Sequence, residues 1–167
     1  MRLTTLILVI TLSISPSLAS AKDAGKFSRG NIVSLCGVIK TDQIKLIHEK
    51  MDNLIKEGGV TKESFNKHYV FTIACTKRVP LHYAANKGYE QFLKFAEYGV
   101  DLEHSFKDLD DHITTLKDHA KYKAQTTKGN ERLEWRKIFF YLKKNKVKGC
   151  QEQPQLNCSP KYYKPAS

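Results

Sequence analysis

The chain has 167 residues, and its 28 Lys and Arg residues against 17 Asp and Glu residues give a formal net charge of +11. Hydrophobic residues make up 41% and charged residues 27%, a globular composition that excludes wholesale disorder. The 4 cysteines are too few for a disulfide-dense miniature scaffold, so an apolar core must hold the fold. No apolar run reaches the roughly 18–20 residues of a membrane-spanning helix, which excludes a multi-pass membrane protein.

The first 21 residues have the parts of a secretory signal peptide. Arg2 is their only charged residue, Leu6–Ile14 is largely apolar, and Ala19-Ser20-Ala21 is a small-residue cleavage site. A short membrane anchor is the alternative, but an apolar stretch of 9 residues is too short for it. We expect cleavage after Ala21, a location in the periplasm or outside the cell, and no stable membrane insertion afterwards. The mature chain has 27 basic and 17 acidic residues, a net charge of +10.

Export would place the cysteines in an oxidising compartment, where an even number favours two disulfides. Three pairings of Cys36, Cys75, Cys150 and Cys158 are possible. We favour Cys36–Cys75 with Cys150–Cys158, because the second bond closes a small loop after the last helical pattern and would fix a loose tail. A zinc site is the alternative, but neither pair has C-x-x-C spacing and no histidine lies near the C-terminal pair.

Apolar periodicity predicts helices in the first part of the mature chain. A short buried helix is expected over 31–40. A second helix, over 42–57, is expected to start at a cap formed by Thr41 or Asp42. The segment 62–75 is interpreted as helix, although its second half also fits a strand, and periodicity does not decide between them.

Two very short helices joined by a glycine come next. Pro80 is tolerated in the first turn of a helix, and this helix, over 81–87, is expected to end at Gly88. The second, around 92–96, is expected to end at Gly99. Isolated helices of this length are marginal in water, so such a pair needs neighbours, as in a stacked repeat.

This region resembles an ankyrin repeat. The run 79–88, VPLHYAANKG, has the Pro-Leu-His-x-Ala-Ala-x-x-Gly pattern, and 92–96 with Gly99 matches the rest of the repeat. Val79 departs from the threonine that the family usually has at this position. The resemblance implies a helix-turn-helix unit in which Leu81 fills the layer between adjacent repeats.

Weaker matches extend the resemblance on both sides. Leu116 and Ala120 lie 35 residues after Leu81 and Ala85, close to the family period of about 33. The second helix of this third repeat would run over 131–144, and a degenerate first repeat would span 31–60. The expected fold is all-α, a short α-solenoid of about three ankyrin-like helix-turn-helix repeats with a C-terminal tail fixed by a disulfide. The expected segments are the signal peptide (1–21), a flexible leader (22–30), the repeat domain (31–148, best repeat 76–108) and the tail (149–167).

The sequence offers one candidate metal site and no catalytic motif. His104, Asp108 and His112 are spaced by four residues and would share one face of a helix, with Asp111 as a further ligand. Against this site, 101–111 occupies the loop position between repeats. No nucleophile, phosphate-binding or paired-carboxylate motif is recognisable. We expect no enzyme activity and no cofactor, and an exported enzyme or metal-binding protein that uses these residues is the alternative.

Positive charge is concentrated near the end of the predicted repeats. Residues 121–148 contain 10 Lys and Arg against 2 Glu, whereas 22–120 contain 15 basic and 14 acidic residues. Over 131–144 the apolar residues are spaced to bury one helix face. The residues expected inside are Trp135, Ile138, Phe139 and Leu142, and the cations expected outside are Arg132, Arg136, Lys143 and Lys144.

These cations have several interpretations. They could be a solvated face that maintains solubility, or a surface for docking an acidic protein. Nucleic acid is disfavoured, because an exported protein seldom meets it and no base-reading element is visible. Anionic lipid would attract basic residues, but the aromatic side chains of the segment are needed for the core.

The ankyrin resemblance implies binding of a protein partner and no chemistry. Contacts in that family usually come from hairpin tips and exposed positions of the first helix, which match Lys77, Arg78, Tyr83, Asn86 and Lys87. The leading hypothesis is an exported binding protein, in its concrete form an immunity protein that neutralises a toxin delivered to the bacterial periplasm. A secreted, host-directed ankyrin effector is a further alternative. The oligomeric state stays open.

Overall fold

A computed structural model describes residues 29–58, 61–62, Phe65, Cys75, 80–108 and 110–162. The described residues are mostly helical, with one small two-stranded sheet. None of their helices has both the length and the apolar character to cross a membrane. The elements are α1 (Arg29–Lys40), α2 (Leu46–Gly58), α3 (Pro80–Lys87), α4 (Tyr89–Tyr98), β1 (Ser105–Lys107), β2 (Ile113–Thr115), α5 (Leu116–Thr126) and α6 (Gly129–Lys144).

The helices pack as three consecutive pairs. Helix α1 contacts α2, α3 contacts α4, and α5 contacts α6. Between pairs, α1 contacts α3, α2 contacts α4, and α4 contacts α6. Each pair therefore covers apolar surface of the next, which short helices need because they are marginal alone.

In the second helix pair, a proline marks the start of the first helix and a glycine marks the end of the second. Helix α3 begins at Pro80, where the missing N–H has no helical partner to lose. Helix α4 ends at Gly99, whose φ of 84° is left-handed and favours glycine. The N–H groups of Gly99 and Val100 donate to the carbonyls of Ala96 and Phe95 and so satisfy the end of the helix. Both helices predicted here are confirmed.

Helix α2 begins later than predicted, because Asp42 forms tertiary contacts instead of a cap. Residues 41–45 form turns, and Asp42 has a positive φ of 56°. Its carboxylate accepts a hydrogen bond of 2.5 Å from the side-chain amide of Gln91 and lies 3.6 Å from Nζ of Lys87. These contacts join the α1–α2 turn to the second helix pair. Of the undecided segment 62–75, only Lys62, Phe65 and Cys75 are described.

A short antiparallel hairpin lies between the second and third helix pairs. Strand β1 pairs with β2, with Phe106 opposite Thr114. Both of these residues are buried, and the β-branched residues Ile113–Thr115 suit a strand. At a coarse level the described residues agree with the expected all-α class, but that expectation omitted this sheet. The expectation that 104–112 shares a helix face is wrong, because the segment is a hairpin with a turn at Asp111, whose φ is 62°.

Among the described residues, two apolar clusters form the core. The first lies between the first two helix pairs and includes Leu35, Met51 and Phe95. The second joins α4, the hairpin and the third pair, with Phe92 and Trp135 at its centre. Leu81, at the start of α3, packs against both clusters, in agreement with its expected place between layers.

Both favoured disulfide bonds are present. Cys36 of α1 is bonded to Cys75, and both residues are fully buried in the first cluster. Cys150 is bonded to Cys158. Disulfides are typical of proteins outside the cytoplasm, so they agree with an extracytoplasmic location. The predicted signal peptide, 1–21, and most of the predicted leader lie outside the described residues, and α1 already includes residues 29 and 30.

The described part of the C-terminal tail packs against the third helix pair through polar contacts. Oδ2 of Asp118 accepts hydrogen bonds from the Thr115 hydroxyl, at 2.7 Å, and from the Cys150 N–H, at 2.6 Å. Gly149 sits so close that a Cβ there would lie 2.8 Å from the same oxygen. Further along, the Ser159 N–H donates to the carbonyl of Ile113 in β2, at 2.8 Å. The tail therefore depends on a glycine beside a buried carboxylate.

Replacing Gly149 with alanine tests this packing. A Cβ at this position must displace the Asp118 carboxylate and weaken its two hydrogen bonds. We expect Gly149→Ala to lower the free energy of unfolding by about 1–3 kcal/mol, as overpacking does. Urea unfolding of the disulfide-bonded protein, followed by circular dichroism, measures this change.

Gly37→Ala is the matched control. Gly37 lies inside α1, and a Cβ there would meet no atom within 4 Å. This variant should be about 0.5–1 kcal/mol more stable, because alanine favours a helix over glycine. Equal free energies of unfolding for the two variants would contradict the packing at Gly149.

Candidate functional site: the outer face of helix α6

Helix α6 buries one side and exposes the other. Trp135, Ile138 and Leu142 are at most 2% exposed and lie in the second core cluster. Their spacing of three and four residues puts them on one face of the helix, against α5 and α4. Since the described chain has no further helix pair beyond α6, the opposite face is open to solvent.

Two large apolar side chains lie on that open face. Leu133 is 53% exposed and Phe140 is 54% exposed, the highest values among the large hydrophobic residues that the structure describes. They are 7 residues apart, two helical turns, so they lie along one line of the helix surface. We call this surface the basic α6 face, and it consists of Arg132, Leu133, Arg136, Lys137, Phe140, Lys143 and Lys144.

The cations of this face are mostly uncompensated. Within the described part of the chain, Arg132, Arg136, Lys143 and Lys144 are exposed and form no ion pair. Lys137 differs, because its Nζ lies 2.7 Å from Glu134. The face therefore presents a positive field around two exposed apolar side chains, and this field attracts acidic groups.

Glu134 also fixes how α4 meets α6. Its Oε2 accepts a hydrogen bond of 2.8 Å from the backbone N–H of Tyr89, the first residue of α4. Hydrogen bonds from the Lys137 side chain and from this N–H hold the pKa of Glu134 below its usual value. The carboxylate is thus kept ionised, and the two helices have a defined relative position next to Phe140.

A groove of about 580 Å³ lies beside Phe140, where α4 begins and α6 ends. The rings of Tyr89 and Tyr141 contact each other edge to face, with centroids 6.3 Å apart. Burial is the largest of the effects that raise the pKa of Tyr89 above its usual value of 10.0. The groove is lined by Tyr89, Lys137, Phe140, Tyr141, Lys144 and Asn145.

The other predicted contact residues are dispersed. Lys77 and Arg78 lie outside the described residues. Tyr83 is 8% exposed and lies in the first core cluster, so it packs inside the protein and does not face a partner. The side chain of Asn86 donates to the carbonyl of His82 at 2.7 Å. Lys87 is exposed but lies close to Asp42, so much of its charge is compensated.

Sequence reasoning found the cations of α6 but missed its exposed apolar residues. It assigned Phe139 to the buried face and gave no role to Leu133 or Phe140. Phe139 is half-buried, whereas Phe140, the next residue, faces solvent. The available signal was the angular position of Leu133 and Phe140, which lie almost opposite Trp135 and Leu142 at 100° per residue.

The predicted metal ligands are only partly brought together. Ligand atoms of Asp108, Asp110 and His112 lie within 4.8 Å of one another, at the turn of the hairpin. His104 immediately precedes β1, and its Nε2 lies 3.4 Å from Oδ2 of Asp101 instead. The structure thus replaces the predicted set of His104, Asp108 and His112 with a different one.

Asp108 in this cluster is already occupied by protein groups. Its side chain is 7% exposed, and it accepts hydrogen bonds from the Tyr162 hydroxyl and from the N–H groups of Asp110 and His112. Nζ of Lys161 lies 3.6 Å away. Burial pushes the pKa of Asp108 upward, but these hydrogen bonds and Lys161 outweigh burial and leave the pKa below its usual value. This geometry holds the tail against the hairpin.

Comparison of the chain with protein-family models, with curated proteins and with solved structures finds no match. What the site can do is therefore inferred from its own residues. The basic α6 face offers charge and apolar contact area to another macromolecule, and Asp108 offers a structural contact for the tail.

Replacing Asp108 with asparagine tests the tail contact through its pH dependence. Because the folded-state pKa lies below the usual 3.8, the carboxylate contributes stability above that value and loses it as the pH falls further. Asp108→Asn should lower the free energy of unfolding at neutral pH by about 1–3 kcal/mol. Its stability should also decline less steeply than the natural protein's below about pH 4.

Asp110→Asn is the control for this experiment. Asp110 pairs with the same Lys161 at 3.2 Å, but its side chain is 67% exposed, so the change should cost at most about 1 kcal/mol. Urea unfolding between acidic and neutral pH measures both variants. If the free energy of unfolding of Asp108→Asn falls as steeply below about pH 4 as that of the natural protein, Asp108 is not the group responsible for the loss of stability in acid.

Proposed function

We propose that this protein is an exported, non-catalytic binding module that holds an acidic protein partner on the basic α6 face. The observation that carries the proposal is the combination, on one helix surface, of exposed Leu133 and Phe140 with four cations that form no ion pair among the described residues. Solubility alone requires charge but gains nothing from two large apolar side chains in solvent. An interface uses both, since apolar contact supplies affinity and charge supplies steering.

We further propose that 31–148 is a stack of three ankyrin-like repeats. The order of contacts supports this, because first helices meet first helices, α1 with α3, and second helices meet second helices, α2 with α4 and α4 with α6. The hairpin between the second and third pairs occupies the place that the family gives to a loop between repeats. In such a stack the last repeat has an open outer surface, which is where the basic α6 face lies.

In its concrete form the proposal is an immunity protein of the bacterial periplasm. The signal peptide would direct export of the chain and be removed by cleavage after Ala21, and the two disulfides suit an oxidising compartment. A small, strongly basic binder suits rapid capture of an acidic toxin, because complementary charge speeds association. A secreted, host-directed ankyrin effector would use the same surface and differs in where the partner is found.

A metal-dependent enzyme is the weaker candidate. Its supporting observation is the group of Asp108, Asp110 and His112. A metal ion there would have to compete with the Tyr162 hydroxyl and Lys161 for the Asp108 carboxylate. Metal analysis of untagged protein distinguishes the two functions, since a stoichiometric metal would favour this candidate over a binding module.

Charge reversal tests the proposed binding surface. The disulfide-bonded protein should capture an acidic protein from the envelope or medium of the producing cells, and higher salt should weaken the complex. The double variant Arg136→Glu/Lys144→Glu should bind the captured protein at least about tenfold more weakly, because it removes two cations and adds two repulsive charges. Affinities are measured with the purified pair.

The matched control is Lys45→Glu/Lys56→Glu, which makes the same change in net charge at exposed positions near and in α2. We expect this variant to keep most of the affinity. If both double variants lose the same affinity, net charge and not the basic α6 face is responsible, and the proposed site is wrong.

A further inference from the structure

The groove beside Phe140 and the line of exposed residues on α6 together specify the shape of a partner. We propose that the basic α6 face binds an acidic amphipathic helix, which lies along α6 and inserts an apolar side chain into the groove. This inference depends on the proposed binding function and adds to it the chemistry and form of the element that is bound.

The spacing of the apolar residues fits a helix that runs alongside α6. Leu133 and Phe140 are two turns apart, which is about 10 Å along the helix axis. A second helix packed at a small angle presents apolar side chains at the same interval when they are seven residues apart. Two contacts of this kind fix the position of the bound helix and align its axis with α6.

The groove supplies a receiving site for one of these side chains. Its volume of about 580 Å³ lies in the range of about 300–1,000 Å³ that is usual for ligand pockets. Tyr89 and Tyr141 form aromatic walls, and the hydrogen bond from the Tyr89 backbone N–H to Glu134 fixes the start of α4, which carries the first wall. A leucine or aromatic side chain that enters here covers Phe140 and removes its exposed ring from water.

The cations lie on both sides of the apolar line. At 100° per residue, Arg136 and Lys143 fall on one side of Leu133 and Phe140, and Lys137 and Lys144 fall on the other. A partner with complementary charge therefore has acidic residues on both flanks of its apolar stripe. Such an arrangement is an acidic amphipathic helix.

A second copy of this chain is a poor occupant. Its acidic segment, 101–111, is partly neutralised within the chain, because Glu103 lies 3.8 Å from Lys148 and Asp110 lies 3.2 Å from Lys161. A bilayer is also a poor occupant, because the apolar surface consists of two side chains beside a concave groove. A helix that binds to a bilayer surface has a broad apolar face, which α6 does not have.

Two synthetic peptides of about five helical turns test the inference. Both have the same composition, rich in glutamate, with one leucine and one phenylalanine. The first places the two apolar residues seven positions apart with glutamates on both flanks, and the second places them on opposite sides of the helix. Fluorescence anisotropy with the full disulfide-bonded protein should give at least about tenfold tighter binding for the first peptide.

Phe140→Ala should weaken binding of the first peptide by about tenfold or more and leave the weak binding of the second peptide unchanged. Val33→Ala is the control, since Val33 is 43% exposed on α1, and it should change neither affinity. Thermal unfolding of both variants shows that they remain folded.

Each other outcome overturns the inference. If the two peptides bind equally and Phe140→Ala has no effect, the amphipathic helix is refuted. The proposed function then remains, as recognition of acidic charge alone. Binding of neither peptide refutes the amphipathic helix, and the charge-reversal experiment then decides independently whether the binding function also fails. Stronger, Phe140-dependent binding to phosphatidylglycerol vesicles would assign the face to lipid, and Phe140-dependent dimerisation in solution would assign it to a second copy.

Discussion

The described helices are too short to bury their apolar side chains alone, and this constraint organises the molecule. Each pair is stable because the next pair, or the hairpin, covers it, so Phe92 and Trp135 lie in one cluster although they belong to different pairs. Within the described residues, the last pair has no further helix pair beyond α6, although the tail packs against α5. Its outer helix, α6, must therefore have a face that water or another molecule covers.

The two sides of the third helix pair have different surroundings. On one side the tail returns to the hairpin, where Asp108 collects donors from Tyr162 and the backbone, and the Cys150–Cys158 bond closes the intervening loop. On the other side, four cations of the basic α6 face, Arg132, Arg136, Lys143 and Lys144, form no ion pair within the described part of the chain. The carboxylates of Asp108 and Asp118, which hold the tail, thus have hydrogen-bond partners within the chain, whereas those four cations have no ion-pair partner among the described residues.

Local signals in the sequence were sufficient for the helices whose ends depend on the backbone alone, as at Pro80 and Gly99. The disulfide pairing was also predictable, because Cys150 and Cys158 close a short loop after the last helix and this pair leaves Cys36 to bond with Cys75. Features that depend on distant residues were not predictable. Asp42 contacts Gln91 and so does not cap α2, and Asp108 meets a tyrosine 54 positions later. Strands of three residues are too short to show periodicity. The exposure of Leu133 and Phe140, by contrast, was predictable from their angular position opposite Trp135 and Leu142.

The central claim is that the open face of α6 contacts another protein. Photo-crosslinking in the producing cells measures this most directly, with p-benzoylphenylalanine in place of Phe140 or, in a second strain, in place of Val33, which is exposed on α1. We expect the reagent at position 140 to give a covalent adduct with one acidic exported protein, and the reagent at position 33 to give none. Adducts from position 33 alone, or no protein adduct from position 140, would contradict the account.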